Sequence, residues 1–111
     1  MSTMKNSVQL VGNVGQDPEI RNLEGGKKVA NLSIATNESY KNEKGEKVDQ
    51  TEWHRVVAWG ASADIIEKYV VKGNQIGVVG KLTYKTYNDK EGVTRKITEI
   101  LVSEVLLMNK N

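Results

Sequence analysis

The sequence predicts a small all-β domain, a five-stranded barrel with one helix between the third and fourth strands. Apolar and polar residues alternate over several stretches, which is typical of half-buried strands. Glycine-containing turns separate these stretches, and only one segment has the spacing of an amphipathic helix. With 111 residues, we expect one domain, 1–111, that buries a core of its own.

The alternation sets the bounds of each predicted element. In the first strand Val8, Leu10 and Val14 share the inward face. Charged residues and glycine dominate 41–49, which predicts a mobile hairpin loop. The predicted strands are 8–14, about 28–40, 51–60, 75–87 and 94–108, and a short extended piece covers 19–23.

The stretch 51–60 contains both tryptophans and the only histidine of the chain. Because strand side chains alternate, Trp53, Arg55 and Trp59 share one face and His54 points to the other. Two interpretations remain open from these residues alone. The indoles belong to the core, as large aromatics in strands commonly do, or they stack on bases while Arg55 holds a phosphate.

The helix is predicted to begin at Ser62, whose hydroxyl suits an N-cap, and to end before Gly73. Ile65, Ile66, Tyr69 and Val70 are expected to lie on one helical face, and Ile65, Ile66 and Tyr69 to plug one end of the barrel. In the strand that follows, the alternation places Tyr84 with the core. It places Lys81, Lys85 and Tyr87 on the opposite, basic face.

Charge is uneven along the chain although the net charge is only +2. Between Lys68 and Lys96 there are seven basic residues against two acidic ones, which is typical of a surface that binds a polyanion. There is no cysteine, so disulfides and thiolate metal sites are excluded, and an intracellular location is favoured. No apolar run is long enough to span a membrane.

The sequence contains few of the residue combinations that a catalytic site requires. His54 and Glu52 share a strand face, as a base and its orienting carboxylate would, but no nucleophile motif accompanies them. A second histidine that could help to hold a metal is missing, and no phosphate-binding or dinucleotide motif is present. We therefore expect no enzyme activity, no metal and no cofactor.

Five strands with a helix between the third and fourth have the element order of an OB-fold. Aromatic and basic residues interleaved on such a barrel favour a protein that binds single-stranded nucleic acid. The candidate stacking residues and the candidate phosphate contacts are Tyr40, Trp53, Trp59 and Tyr87, and Arg55, Lys72, Lys81 and Lys85.

Several motifs also resemble the family of bacterial single-stranded DNA-binding proteins. They are VGNVGQDPEIR at 11–21, TEWHRVV at 51–57, ATNESY at 35–40 and YVVKG at 69–73. The resemblance covers roughly residues 6–108. It implies a cytoplasmic, nucleoid-associated homotetramer that coats single-stranded DNA during replication, recombination and repair.

The resemblance also implies roles for single residues. Tyr40, Trp53, Trp59 and Tyr87 fall at base-stacking positions, and Arg55, Lys72 and Lys85 at basic positions that contact DNA. His54 and Tyr69 fall near subunit contacts. Family members usually continue into a linker and an acidic tip that recruits other proteins, whereas this sequence ends at Asn111. Recruitment through such a tip is therefore not expected.

Three alternatives remain open. The chain is an OB-fold accessory protein of the primosome type, a relative that prefers RNA, or a nuclease that uses Glu52 and His54. Incubation with labelled single-stranded DNA and a divalent metal separates the nuclease from the binding proteins, because only the nuclease cleaves the strand.

Overall fold

The structure, a computed structural model, describes residues 4–108, so both ends of the expected 1–111 domain lie outside the described residues. Strands make up most of it, with one α-helix. The elements are β1 (Val8–Val14), β2 (Glu19–Asn22), β3 (Lys28–Lys41), β4 (Lys47–Trp59), α1 (Ala61–Tyr69), β5 (Gln75–Asn88) and β6 (Thr94–Leu107). Short 3-10 turns occur at Met4–Asn6 and Glu24–Gly26.

Five of the strands close into a barrel, as the alternation predicted. The order β1-β5-β6-β4-β3 is completed by pairing of β3 with β1. All neighbours are antiparallel except β4 and β6, which pair in parallel at Val56–Ile100 and Val57–Leu101. The short strand β2 extends the edge of β3. The predicted all-β OB-fold barrel with one helix is confirmed.

The core lies inside this barrel and follows the predicted faces. The inward residues of β3, β4 and β5 are almost completely buried because each faces the other strands across the barrel. They are Ala30, Leu32, Ile34, Val56, Ala58, Ile76 and Val78. Val14 of β1, Ile100 and Val102 of β6, two residues of the helix and its C-cap residue Val70 belong to the same cluster.

The helix covers one end of the barrel with a face that matches the expected one only at Ile66 and Val70. Ala63, Ile66 and Val70 are buried, whereas Ile65 is 37 % and Tyr69 62 % exposed. Spacings of three and four residues bring the buried side chains onto one stripe, and Ile65 and Tyr69 lie beside it. The expectation that Ile65 and Tyr69 plug the barrel was wrong.

The start of the helix also differs from the prediction. Gly60 precedes the first turn, with φ of +60°, and Ser62 lies inside the helix, so Ser62 is not the N-cap. Two ion pairs link the helix to β3: Lys28 pairs with Asp64, at 2.8 Å, and with Glu67. The hydrogen bond from Lys28 lowers the pKa of Asp64, and the same two carboxylates raise the pKa of Lys28.

Two long hairpins extend from the barrel. In the β3–β4 hairpin the pairing continues to Lys41–Lys47, so the predicted loop over 41–49 shrinks to a turn. The side-chain oxygen of Asn42 accepts hydrogen bonds from the backbone N–H groups of Lys44 and Glu46. The β5–β6 hairpin pairs as far as Asn88–Thr94. No described helix is long and apolar enough to cross a membrane.

Candidate nucleic-acid interface

Both tryptophans lie on the outside of the barrel, on the predicted face of β4. Trp53 is 62 % and Trp59 42 % exposed, while the intervening Val56 and Ala58 are fully buried. The core interpretation of the tryptophans was therefore wrong. They are six positions apart along the strand, which corresponds to about 20 Å, and the exposed Arg55 lies between them.

Trp53 rests on a glycine of the turn that follows β1. A Cβ added at Gly15 would overlap the six-membered ring of the indole. The same turn holds the segment after the helix, because the backbone N–H of Lys72 donates to Asp17 Oδ1 at 2.8 Å. The turn thus links the ring of Trp53 to the segment that carries Lys72.

Arg55 lines a polar cleft of about 370 Å³ between the β1–β2 turn and the outer faces of β3, β4 and β6. Glu99 of β6 is in the same cleft, and it is only 6 % exposed. Its carboxylate lies 3.4 Å from the Nζ of Lys85. A buried carboxylate therefore pairs with one predicted phosphate contact, Lys85, and shares a cleft with another, Arg55.

The outer face of β5 carries the other predicted cations. Lys81, Lys85 and Tyr87 alternate on the side opposite to Ile76 and Val78, and all three are exposed. Tyr87, which is 48 % exposed, lies opposite Arg95 in the hairpin. The structure thus brings Trp53, Arg55, Trp59 and these three residues to the outer surface.

Tyr40 does not share that face. It pairs with Val48 and has the same alternation as Ile34, so it lies on the other side of the β3–β4 hairpin from Trp53. It is 53 % exposed because this end of the hairpin projects beyond the barrel. Glu38 and Gln50 are its neighbours on that side.

Tyr84 was expected in the core, and the structure contradicts this. It is 56 % exposed. Residues 82–88 pair only with β6, beyond the point where β1 pairs with β5, so no second layer covers their inward face. Alternation predicted the correct face of Tyr84, but the barrel does not extend far enough to bury it.

The predicted subunit residues lie apart from each other. The half-buried His54 shares the inward face of β4, and its Nε2 lies 3.0 Å from Thr36 Oγ1. Tyr69 is exposed on the helix. In the part of the chain that the structure describes, His54 and Glu52 form no ion pair, and Oε1 of Glu52 accepts a hydrogen bond from the side-chain amide of Gln50. Within residues 4–108 no cluster of potential metal ligands occurs.

Two contributors to this surface, Gly15 and Glu99, were not predicted from the sequence. A glycine beside a turn gives no sign that an indole 38 positions later packs on it. Glu99 had a weak signal, because its place in the alternation puts a carboxylate on the outer, basic face. Its burial depends on tertiary structure, because it lies in a cleft that Gln16 and Asp17 of the β1–β2 turn also line.

Comparison with known proteins gives concordant matches over nearly the whole chain. A family model described as "Single-strand binding protein family" matches residues 5–108. "Single-stranded DNA-binding protein 1" of Xylella fastidiosa (strain 9a5c) is 42 % identical over 106 residues, which is 95 % of this chain and 78 % of that protein. The solved structure "Plasmodium falciparum SSB complex with ssDNA" superimposes with a TM-score of 0.88 at 33 % identity, covering 98 % of this chain and 99 % of the other.

Proposed function

Because this chain belongs to the single-strand binding protein family, we infer that it binds single-stranded DNA, and we propose that it coats the strand without regard to sequence. The coating serves replication, recombination and repair. One observation carries the mechanism: two tryptophans stand exposed on the outer face of β4 with an arginine between them.

The exposed rings supply the base contacts. Every nucleobase has a flat π-face, so an indole accepts any base, and stacking in single-strand binders of this class is worth about 1–3 kcal/mol per base. Trp53 and Trp59 are the principal platforms, and Tyr87 extends the surface along β5. We include Tyr40 as a further platform on the other side of its hairpin.

The cations supply phosphate contacts that carry no sequence information. Arg55 lies between the indoles, Lys81 and Lys85 follow the outer face of β5, and Lys72 is tied through its backbone to the turn beneath Trp53. Lys85 already faces Glu99 at 3.4 Å. A phosphate must therefore compete with that carboxylate, which weakens the contribution of Lys85 relative to an unpaired lysine.

We also propose that the chain assembles as a homotetramer. Within the described residues, β1 pairs with β3 only at Asn13 and Val14, which leaves the edge of residues 8–12 free for another strand. Val11 and Leu106 are 52 % and 60 % exposed on either side of Gly77. An apolar patch beside a free strand edge supports association with further copies, with His54 and Tyr69 as contacts.

We also propose that the protein is a binding protein and not an enzyme, and that it acts in the cytoplasm. A binding protein rather than an enzyme fits a site made of rings and cations. The similarity to a bacterial relative supports action in the cytoplasm, at the nucleoid.

A fluorescence titration with dT oligomers tests the proposal. Stacking on the exposed indoles should quench their emission, and Trp53→Ala should weaken binding by about 1–3 kcal/mol while Trp53→Phe, which keeps a ring, loses less. Thermal unfolding checks that both variants fold. A folded Trp53→Ala protein with unchanged affinity would remove Trp53 from the interface.

Salt dependence tests the phosphate contacts. Removing one contact to a single strand should reduce the slope of log affinity against log salt by about 0.7. We expect Arg55→Ala to do so for dT and dA oligomers alike. A loss restricted to one base would show base reading and contradict the sequence-independent mechanism.

A further inference from the structure

Tyr84 and Lys96 form an exposed ring–cation pair outside the surface described so far. The Nζ of Lys96 lies 4.6 Å from the centroid of the Tyr84 ring, a separation at which the cation is attracted to the ring's π-face. Tyr84 is 56 % exposed. A large part of the side chain therefore stays open although a cation sits over the ring.

The pair lies on the inward face of the β5–β6 hairpin, where the hairpin projects beyond the barrel. Tyr84 pairs with Thr98, and Lys96 pairs with Thr86. Tyr87 and Lys85 alternate to the other face of the same hairpin. Both faces of this hairpin thus carry a tyrosine and a lysine.

Charge on the inward face favours an anion. Among the described residues Lys96 makes no ion pair, in contrast to Lys85 and Lys28. No carboxylate alternates to this face. The residues that share it are Leu82, Tyr84, Thr86 and Asn88 on β5, and Thr94, Lys96, Thr98 and Ile100 on β6.

Tyr40 on the β3–β4 hairpin differs from Tyr84 in the charge of its neighbours. It is exposed to a similar degree on the other hairpin, at 53 %. However, Glu38 and Glu52 alternate to the same face as Tyr40, and these carboxylates repel a phosphate. Of the two inward-facing tyrosines on the hairpins, Tyr84 therefore has the more favourable surroundings for a phosphate bound next to the ring, while Tyr40 can still stack on a base.

We propose that Tyr84 and Lys96 form a further contact for single-stranded DNA, in which a base stacks on Tyr84 and a phosphate binds Lys96. This inference rests on the proposed function, since it extends the path of the same strand. The strand passes from Tyr87 and Lys85 around the edge of the hairpin to its inward face. The ring holds the ammonium in place, so Lys96 is positioned before DNA arrives.

Affinity for dT oligomers tests the stacking half of the proposal. Tyr84→Ala should bind about 5- to 150-fold more weakly, the cost of one lost base stack, whereas Tyr84→Phe should bind like the unaltered protein. Thr86→Ala is the matched control, because it alters the same face without removing a ring or a cation. Thermal unfolding establishes that each variant is folded.

Salt dependence tests the phosphate half. Lys96→Ala should reduce the slope of log affinity against log salt by about 0.7, and Lys96→Arg should restore it. Tyr84→Ala keeps the cation, so its slope should change less than that of Lys96→Ala.

The outcomes separate this inference from the function on which it rests. If the unaltered protein does not bind dT oligomers, the proposed function fails. If it binds, and folded Tyr84→Ala binds equally well, only the Tyr84 contact is overturned. A change in molar mass by light scattering for Tyr84→Ala without DNA would also overturn it, because the ring would then contact a second copy of the chain.

Discussion

At the scale of single residues, the interface depends on side chains whose neighbours come from distant parts of the chain. Trp53 is exposed, yet its ring is supported from below by Gly15. Gly80, like Gly15, lies where an added Cβ would overlap a neighbour, which at Gly80 is the backbone carbonyl of Leu101. The difference is that the neighbour of Gly15 is a side chain that can move, whereas the neighbour of Gly80 is backbone.

Gly15→Ala should therefore move the indole of Trp53 and leave the fold in place. We expect changed tryptophan emission and weaker binding of dT oligomers, with a smaller loss than that of Trp53→Ala, because the displaced ring still offers a face. Gly80→Ala is the comparison variant and should lower the melting temperature instead. Unaltered emission and affinity in Gly15→Ala would show that the contact does not orient the ring.

At the scale of elements, the two hairpins carry much of the candidate interface, and their turns are held by local hydrogen bonds. Asp89 Oδ1 accepts from the backbone N–H groups of Glu91 and Val93, and its Oδ2 lies 3.0 Å from Nε of Arg95. The bond from the Val93 amide is the largest cause that lowers the pKa of Asp89, followed by the bond from Arg95. The ionised carboxylate thus stabilises the β5–β6 turn.

The lowered pKa predicts how this turn responds to acid. A carboxyl whose pKa is lower in the folded state stabilises the fold above its unfolded pKa, about 3.9 for Asp. That stabilisation is lost as the pH falls through the folded pKa. Asp89→Asn keeps an acceptor oxygen but loses the charge, so it should melt below the unaltered protein at neutral pH.

In acid, the melting temperatures of the two proteins should converge. Thermal unfolding followed by circular dichroism measures these temperatures. Glu91→Gln is the control, because it removes a carboxylate of the same turn that forms no ion pair within residues 4–108. The difference in melting temperature between Asp89→Asn and the unaltered protein should shrink as the pH falls. If it stays constant into acid, the charge of Asp89 does not stabilise the turn.

At the scale of the whole molecule, one strand serves two surfaces. Alternation in β4 directs Trp53 and Arg55 outward and His54 to the inward face, where it bonds Thr36. The described chain leaves an edge of β1 unpaired and an apolar patch at Val11 and Leu106 exposed. On β4, the proposed DNA contacts Trp53 and Arg55 and the proposed subunit contact His54 therefore lie on opposite faces of the strand.

His54→Lys tests the proposed assembly. It places a charge beside Thr36 at a half-buried position, and a charge is costly to bury at a subunit contact. We expect a shift to species smaller than a tetramer by light scattering, with the barrel intact by circular dichroism. His54→Asn is a neutral control that can still bond Thr36. A His54→Lys protein that stays tetrameric would remove His54 from the subunit contacts.

The alternation of apolar and polar residues, together with the turn residues, was enough to predict most of the fold. It also predicted which residues of β4 in the candidate site face outward. The period of two in 51–60 separated Trp53, Arg55 and Trp59 from the core residues Val56 and Ala58, and this separation is local to one strand. The same period identified the other barrel strands, and glycine in 41–49 and 88–92 marked the hairpin turns.

Only the tertiary structure decided which faces are covered. Alternation shows that Tyr84 shares a face with Ile76, but burial requires a second layer, and the barrel ends before it reaches Tyr84. The contact of Gly15 with Trp53 and the cleft that Glu99 shares with Gln16 and Asp17 likewise depend on the turn between β1 and β2. A local pattern specifies which residues point together, while the packing of distant segments determines what they meet.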